Sequence, residues 1–154
     1  MTKQPALIVD LDGTLTDCTH RMHLFRNRGK GRDALAPFFQ AMGGDAVYPW
    51  CRTLMDALRA RGFAIVLLTG RPDTYRGPTE DWLTRHGISY DVLLMRPADD
   101  RRPGAEVKRE IYRRDILPRY DAQLALDDNP KIAAMWADET VPCLLFGTGN
   151  EISV

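Results

Sequence analysis

The sequence predicts an α/β fold, with a central parallel sheet of about five strands flanked by helices and a small helical cap inserted after the first strand. Three observations predict it. Five short apolar runs recur along the chain, amphipathic stretches of helical spacing separate them, and one segment, 16–48, breaks that rhythm. Apolar runs too short for a helix and bounded by turn or charged residues read as buried strands. Strand and helix in alternation mean a parallel sheet covered on both faces, joined by right-handed crossovers.

The strands are expected at Ala6–Val9, Ala64–Leu68, Val92–Met95, Leu124–Leu126 and Cys143–Phe146. Four helices are expected between them. Trp50 to Arg61 places Leu54 and Leu58 at helical spacing, and Gly62 follows as a stop. Thr79 to His86 opens on a Thr cap with acids behind it and ends at Gly87, with His86 as its C-terminal residue. Val107 to Leu117 is highly charged, with Ile111 and Leu117 inward and Pro118 closing it. Asn129–Pro130 reads as a cap followed by proline at the first helical position, with the helix running on from Ile132 to Ala137. The segment from Thr16 to Tyr48 is too long for one βα turn and is assigned to the cap.

With 154 residues the chain fits a single domain. Hydrophobic residues make up 44% and charged residues 27%, a globular balance that argues against disorder. Net charge is zero, so a polyanionic partner has to be argued from local patches. The three cysteines, Cys18, Cys51 and Cys143, are far apart and odd in number, which suits idle thiols in a reducing compartment. The polar N-terminus does not read as a signal peptide, and no apolar run approaches the ~18 residues of a membrane helix. The expected setting is cytoplasmic, without a membrane.

Chemistry concentrates at the predicted strand ends, where ligands bind in open α/β sheets. The first strand runs into Asp10-Leu11-Asp12-Gly13-Thr14. Two carboxylates this close repel unless a cation or a shared proton separates them. The second strand ends in Thr69-Gly70-Arg71, a hydroxyl, a flexible backbone and a fork-shaped cation suited to phosphate. The fourth ends in Asp127-Asp128. Carboxylates on neighbouring strand ends can share one hard cation, and oxygen ligands favour magnesium. Lys108 adds a positive charge near a helix start; outside this context it would read as an exposed helix lysine.

These four motifs in this order resemble the haloacid-dehalogenase superfamily, and together they cover almost the whole chain. The resemblance implies a Rossmann-like sheet with the DxDGT strand central. It further implies a phosphatase in which Asp10 is the nucleophile and Asp12 protonates the leaving oxygen and later activates water. Asp12 should then carry a raised pKa in the substrate complex. Thr69 and Lys108 would hold phosphate oxygens. Mg2+ would be bound by Asp10, by the backbone carbonyl of Asp12, and by Asp127, Asp128 or both.

A narrower resemblance runs from about Ala6 to Gly149. Leu68-Thr69-Gly70-Arg71 with Arg76, Thr79 and Trp82-Leu83, then Tyr90-Asp91, Met95-Arg96-Pro97, Val107-Lys108, Asp127-Asp128 and Met135-Trp136, is similar to the phosphatase half of phage-type polynucleotide kinase/3′-phosphatases. Arg21 stands eleven residues after Asp10, where that family places a phosphate-binding arginine. By position, Arg21, Gly70 and Arg71 would contact substrate, and the substrate would be a 3′-phosphorylated end of DNA or RNA. Three features depart from the pattern. No Gly-x-x-x-x-Gly-Lys-Ser/Thr loop is present, so a kinase half is not expected. Gly104 stands where the family often has an acid, with Asp99 and Asp100 as candidates to compensate. The tail from Asn150 to Val154 also differs.

Between Cys18 and Arg32 there are five Lys or Arg residues and no acid. This run reads either as a basic cap for a polyanion or as a solvated loop. Cys18, His20 and His23 match no zinc spacing, and Trp50, Trp82 and Trp136 read as packing residues. Two other functions stay open at this stage, a small-molecule (nucleotide) phosphatase and a binding module that keeps the fold without catalysis.

Overall fold

The computed structural model describes residues 2–147. Its main sheet has five parallel strands, β1 (Gln4–Val9), β4 (Ala64–Pro72), β5 (Val92–Arg96), β6 (Tyr120–Asp127) and β7 (Cys143–Leu145), in the order β5-β4-β1-β6-β7. Strand β1 is central and buried on both faces, as its unbroken apolar run requires.

The twofold period of that strand sorts its side chains into two cores. Ala6 and Ile8 face one side with Val66, Leu68, Ile111 and Trp136. Leu7 and Val9 face the other with Ile65, Leu67, Met55 and Trp82. Helices α5 (Gly104–Ile111) and α6 (Pro130–Asp138) cover the first face, while α3 (Pro49–Ala60) and α4 (Arg76–Arg85) cover the second.

Segment 16–48 opens and closes on a two-residue antiparallel ribbon, β2 (Thr16–Asp17) with β3 (Ala46–Val47). Between them lie two short helices, α1 (Met22–Arg26) and α2 (Ala36–Gln40). The insertion has its own apolar cluster of Cys18, Met22, Phe25, Phe38, Phe39 and Met42, and Tyr75 of the main body packs against it.

Two helix expectations need correction. Helix α4 begins at Arg76, not at a Thr79 cap. Pro78 falls within the first turn, where its missing N–H costs nothing, so Gly77-Pro78 is helix rather than loop. Thr79 is therefore interior and buried. The second correction concerns Leu117, which is 43% exposed while Ile116 is fully buried. Residues Tyr112–Ile116 form a π turn after α5, and the extra residue in that turn rotates the following side chains off the expected face. The tail from Asn150 lies outside the described residues.

Candidate active site

The acids of β1 and β6 meet at the carboxyl edge of the sheet. Asp10 follows β1 directly, Asp127 ends β6, and Asp128 is next in the chain. One carboxylate oxygen from each of Asp10, Asp127 and Asp128 lies within 4.8 Å of the others, and all three residues are buried. The backbone is built around this closeness. Gly13 has φ +86°, and a Cβ there would stand 2.3 Å from Asp128 Oδ2. Only glycine satisfies both constraints.

Lys108 reaches in from α5 and donates to Asp10 Oδ1 and Asp127 Oδ2, each at 2.9 Å. Thr14 Oγ1 lies 3.4 Å from Asp10 Oδ2 and 3.3 Å from Asp128 Oδ1. One buried oxygen, Asp128 Oδ2, has no hydrogen-bond partner. An all-oxygen cluster with an unpartnered buried oxygen fits a hard divalent cation. Burial and the negative charge of Asp10 push the Asp128 carboxyl up to about 10. The same causes raise Asp127 to about 6, against the opposing pull of Lys108. A divalent cation at the cluster would reverse both shifts.

The narrow pocket at this edge, about 30 Å³, has Asp10, Asp12, Thr69, Gly70, Gly104, Lys108 and Asp127 among its lining residues. Thr69 Oγ1 accepts from the backbone N–H of Arg71 at 3.1 Å, which fixes the hydroxyl where the pairing of β4 with β5 becomes irregular. Neither Asp99 nor Asp100 is among the residues lining the pocket. Asp100 instead pairs with Arg102 at 2.7 Å, so it does not stand in for the acid expected at Gly104.

Arg21 and Arg71, expected to contact substrate, lie beside Asp12 and outside the lining of the acid pocket. Both are fully buried. Arg71 donates to Asp12 from Nε and Nη2, at 3.1 and 2.6 Å, and Arg21 Nη2 touches the same carboxylate. They stand behind Asp12 and hold it. The Asp12 side chain accordingly lies outside the acid cluster, turned toward the guanidiniums.

The raised Asp12 pKa is expected of the substrate complex; without substrate the carboxyl is shifted the other way. Burial pushes that carboxyl up, but the Arg71 and Arg21 charges and hydrogen bonds overrule it and hold it well below the usual carboxylate range.

Two residues complete this network without having been singled out for it from the sequence. Asp45, just before β3, is buried and pairs with Arg21. Thr79 Oγ1 accepts from Arg71 Nη1 at 3.1 Å. The available signal for Asp45 was indirect: two arginines drawn into a core require more counter-charge than Asp12 supplies. His20 Nε2 lies 2.8 Å from Asp45 Oδ1, and the Trp82 indole donates to the Asp45 carbonyl at 2.9 Å. The Arg21 guanidinium also lies over the Phe38 ring, 4.2 Å from its centroid. Among the described residues, no helix is long and apolar enough to cross a membrane.

Residues 4–150 match the family model of the polynucleotide kinase PNKP phosphatase domain. Two solved chains from structures of a Pnkp1/Rnl/Hen1 complex, one described as an RNA repair complex, are similar at 29% identity and a TM-score of 0.77. Those matches cover 94% and 96% of this chain but 43% and 47% of the chains compared, so the protein spans less than half their length. A class C acid phosphatase from Bacillus anthracis shares the fold at 16% identity and a TM-score of 0.68, over 96% of this chain and 68% of the other. With its buried aspartates gathered at one sheet edge and its family match nearly end to end, the chain belongs to the PNKP phosphatase domain family and is a phosphatase of the haloacid-dehalogenase type.

Proposed function

We propose that the protein is a magnesium-dependent polynucleotide 3′-phosphatase that works through an aspartyl-phosphate on Asp10. The observation that carries the reading is the convergence of Asp10, Asp127, Asp128 and Lys108 in one buried site within a chain of this family. Mg2+ held by Asp10, Asp127 and Asp128, with the Asp12 carbonyl as a further ligand, would supply the positive charge that lets an anionic nucleophile approach a phosphate.

In the first half-reaction an Asp10 oxygen bonds to phosphorus, the P–O bond to the sugar breaks, and the leaving oxygen takes a proton from Asp12. Asp12 is ionised before substrate arrives. The negative charge of the arriving phosphate raises its proton affinity, so Asp12 takes up a proton from solvent as substrate binds, and that is the proton it passes to the leaving oxygen. In the second half-reaction Asp12, again a carboxylate, takes a proton from water, which attacks phosphorus and frees Asp10. Lys108 and Thr69 offset the charge on the non-bridging oxygens. Arg21 and Arg71 position Asp12 rather than touch the phosphate.

A repair or end-healing role for DNA or RNA is supported by the family and by the RNA repair complex in which a similar chain was solved. Three free cysteines are in keeping with a reducing, cytoplasmic setting. The decisive measurement compares phosphate release from a 3′-phosphorylated oligonucleotide, a nucleoside monophosphate and p-nitrophenyl phosphate in Mg2+. Preferred turnover of the oligonucleotide is expected. Good turnover of the small esters with none of the oligonucleotide would make the protein a small-molecule phosphatase instead.

A further inference from the structure

Beside the acid pocket lies a second, larger cleft of about 340 Å³ between the insertion and the main body. Gly70 lines both spaces, so the cleft opens toward the reacting phosphate. Its walls differ in character. Leu35, Phe39 and Tyr75 give an apolar side, with the Phe39 and Tyr75 rings 5.3 Å apart between centroids. Arg32 and Arg101 stand exposed on the rim, and Arg101 Nη1 donates to the Arg32 carbonyl at 3.0 Å, tying the insertion to the main body. Four arginines and two aspartates line the cleft, so its local charge is positive although the chain is neutral.

Resting on the 3′-phosphatase reading, we propose that this cleft seats the terminal nucleoside of a single-stranded polynucleotide. The base lies against Tyr75, and the next phosphodiester along the strand sits at Arg32 and Arg101. A flat apolar wall takes a base of any identity, because every base has a π face. A cationic rim at the far end takes the backbone. The volume stands near the low end of the roughly 300–1,000 Å³ of small-ligand sites, enough for one nucleoside and too little for a base pair. The cleft thus selects substrates with at least one phosphodiester beyond the terminal nucleoside, and it favours frayed or single-stranded ends over blunt duplexes. It also gives a purpose to Arg32, the last member of the basic run at 18–32.

The experiment measures kcat/KM for wild type, for Tyr75→Leu and for the double variant Arg32→Ala/Arg101→Ala. Each is given p-nitrophenyl phosphate, a nucleoside 3′-monophosphate and a short single-stranded 3′-phosphorylated oligonucleotide. Tyr75→Leu keeps apolar bulk but removes the ring. It is expected to lower the ratio of nucleotide to p-nitrophenyl phosphate turnover about tenfold. The double arginine variant is expected to lower the ratio of oligonucleotide to mononucleotide turnover by a similar factor, through KM and increasingly so at low salt. Unchanged ratios, or equal losses on all three substrates, overturn the assignment of the cleft while leaving the 3′-phosphatase reading intact. If wild type itself fails to hydrolyse the oligonucleotide, the 3′-phosphatase reading fails and this assignment fails with it.

Discussion

Asp45 holds Arg21 through both carboxylate oxygens, Oδ1 at 2.8 Å from Nε and Oδ2 at 2.6 Å from Nη2. The pair is fully buried, and through Arg21 it reaches Asp12. A bidentate fork fixes the guanidinium plane as well as its position. The insertion, which contributes both Arg21 and Asp45, thus helps set where the second aspartate of DxDGT points.

Asp45→Asn should therefore impair catalysis although Asp45 does not line the acid pocket. Breaking one side of a buried ion pair costs about 3–5 kcal/mol of stability. Activity at a temperature where the variant is still folded is expected to fall about 10- to 100-fold, through loss of Asp12 orientation. Urea unfolding and steady-state kinetics on the same preparation check both values. Full activity in a destabilised protein would remove Asp45 from the functional network.

The Asp12 carboxyl makes the fold's response to acid predictable. Its folded pKa lies below the unfolded value. Its contribution to stability is therefore complete above the unfolded pKa of about 4 and is lost as pH falls through the folded value. Asp12→Asn should destabilise the protein by about 3 kcal/mol at pH 7, and by progressively less below pH 4. Denaturation midpoints of the two proteins measured from pH 7 to pH 3 give the comparison. A constant difference over that range would contradict the assignment.

Metal binding should release protons. Without a cation, burial and Asp10 keep the Asp128 carboxyl pushed up to about 10, so it is protonated near neutrality. A divalent cation favours the ionised form and displaces that proton. Apparent Mg2+ affinity is expected to rise with pH between 7 and 9. Titration calorimetry in buffers of different ionisation enthalpy should record net proton release per ion bound. Asp128→Asn should weaken binding and abolish that release.

Gly13→Ala should damage fold and site together. The position has φ +86°, and the new Cβ would meet Asp128 Oδ2 at 2.3 Å. The left-handed backbone alone costs about 1–2 kcal/mol for an alanine, and the clash pushes a proposed metal ligand aside. A stability loss of at least about 2 kcal/mol is expected, together with weaker Mg2+ binding, both readable from urea titrations with and without the ion.

Asp10→Asn tests the nucleophile directly. The amide is a poor nucleophile, and activity should fall by about 10⁴-fold or more. Trapping of labelled phosphate on the wild-type chain, and its absence from the variant, distinguishes a covalent intermediate from direct attack by water.

The central strands and the residues at their ends were legible in the sequence because each rests on local information. Ala6–Val9 and Ala64–Leu68 are apolar runs that only a buried strand accommodates, and Asp10, Thr69 and Asp127 follow them at fixed offsets along the chain. Helix bounds were less legible where the chain carried mixed signals. Gly77-Pro78 looks like a loop but forms the first turn of α4, and the π turn at Tyr112–Ile116 leaves no composition mark.

The sequence by itself determined the fold class, the family and the gathering of acids at the strand ends, since all three are carried by order and spacing. Only the tertiary structure decided which carboxylates the arginines meet. Arg21 and Arg71 read as phosphate ligands because guanidinium forks suit phosphate as well as carboxylate. Which anion they meet depends on contacts spanning 24 residues to Asp45 and 59 to Asp12. No local pattern encodes such contacts. They exist because the insertion folds back over the sheet edge, buries both arginines and leaves them requiring buried counter-charge.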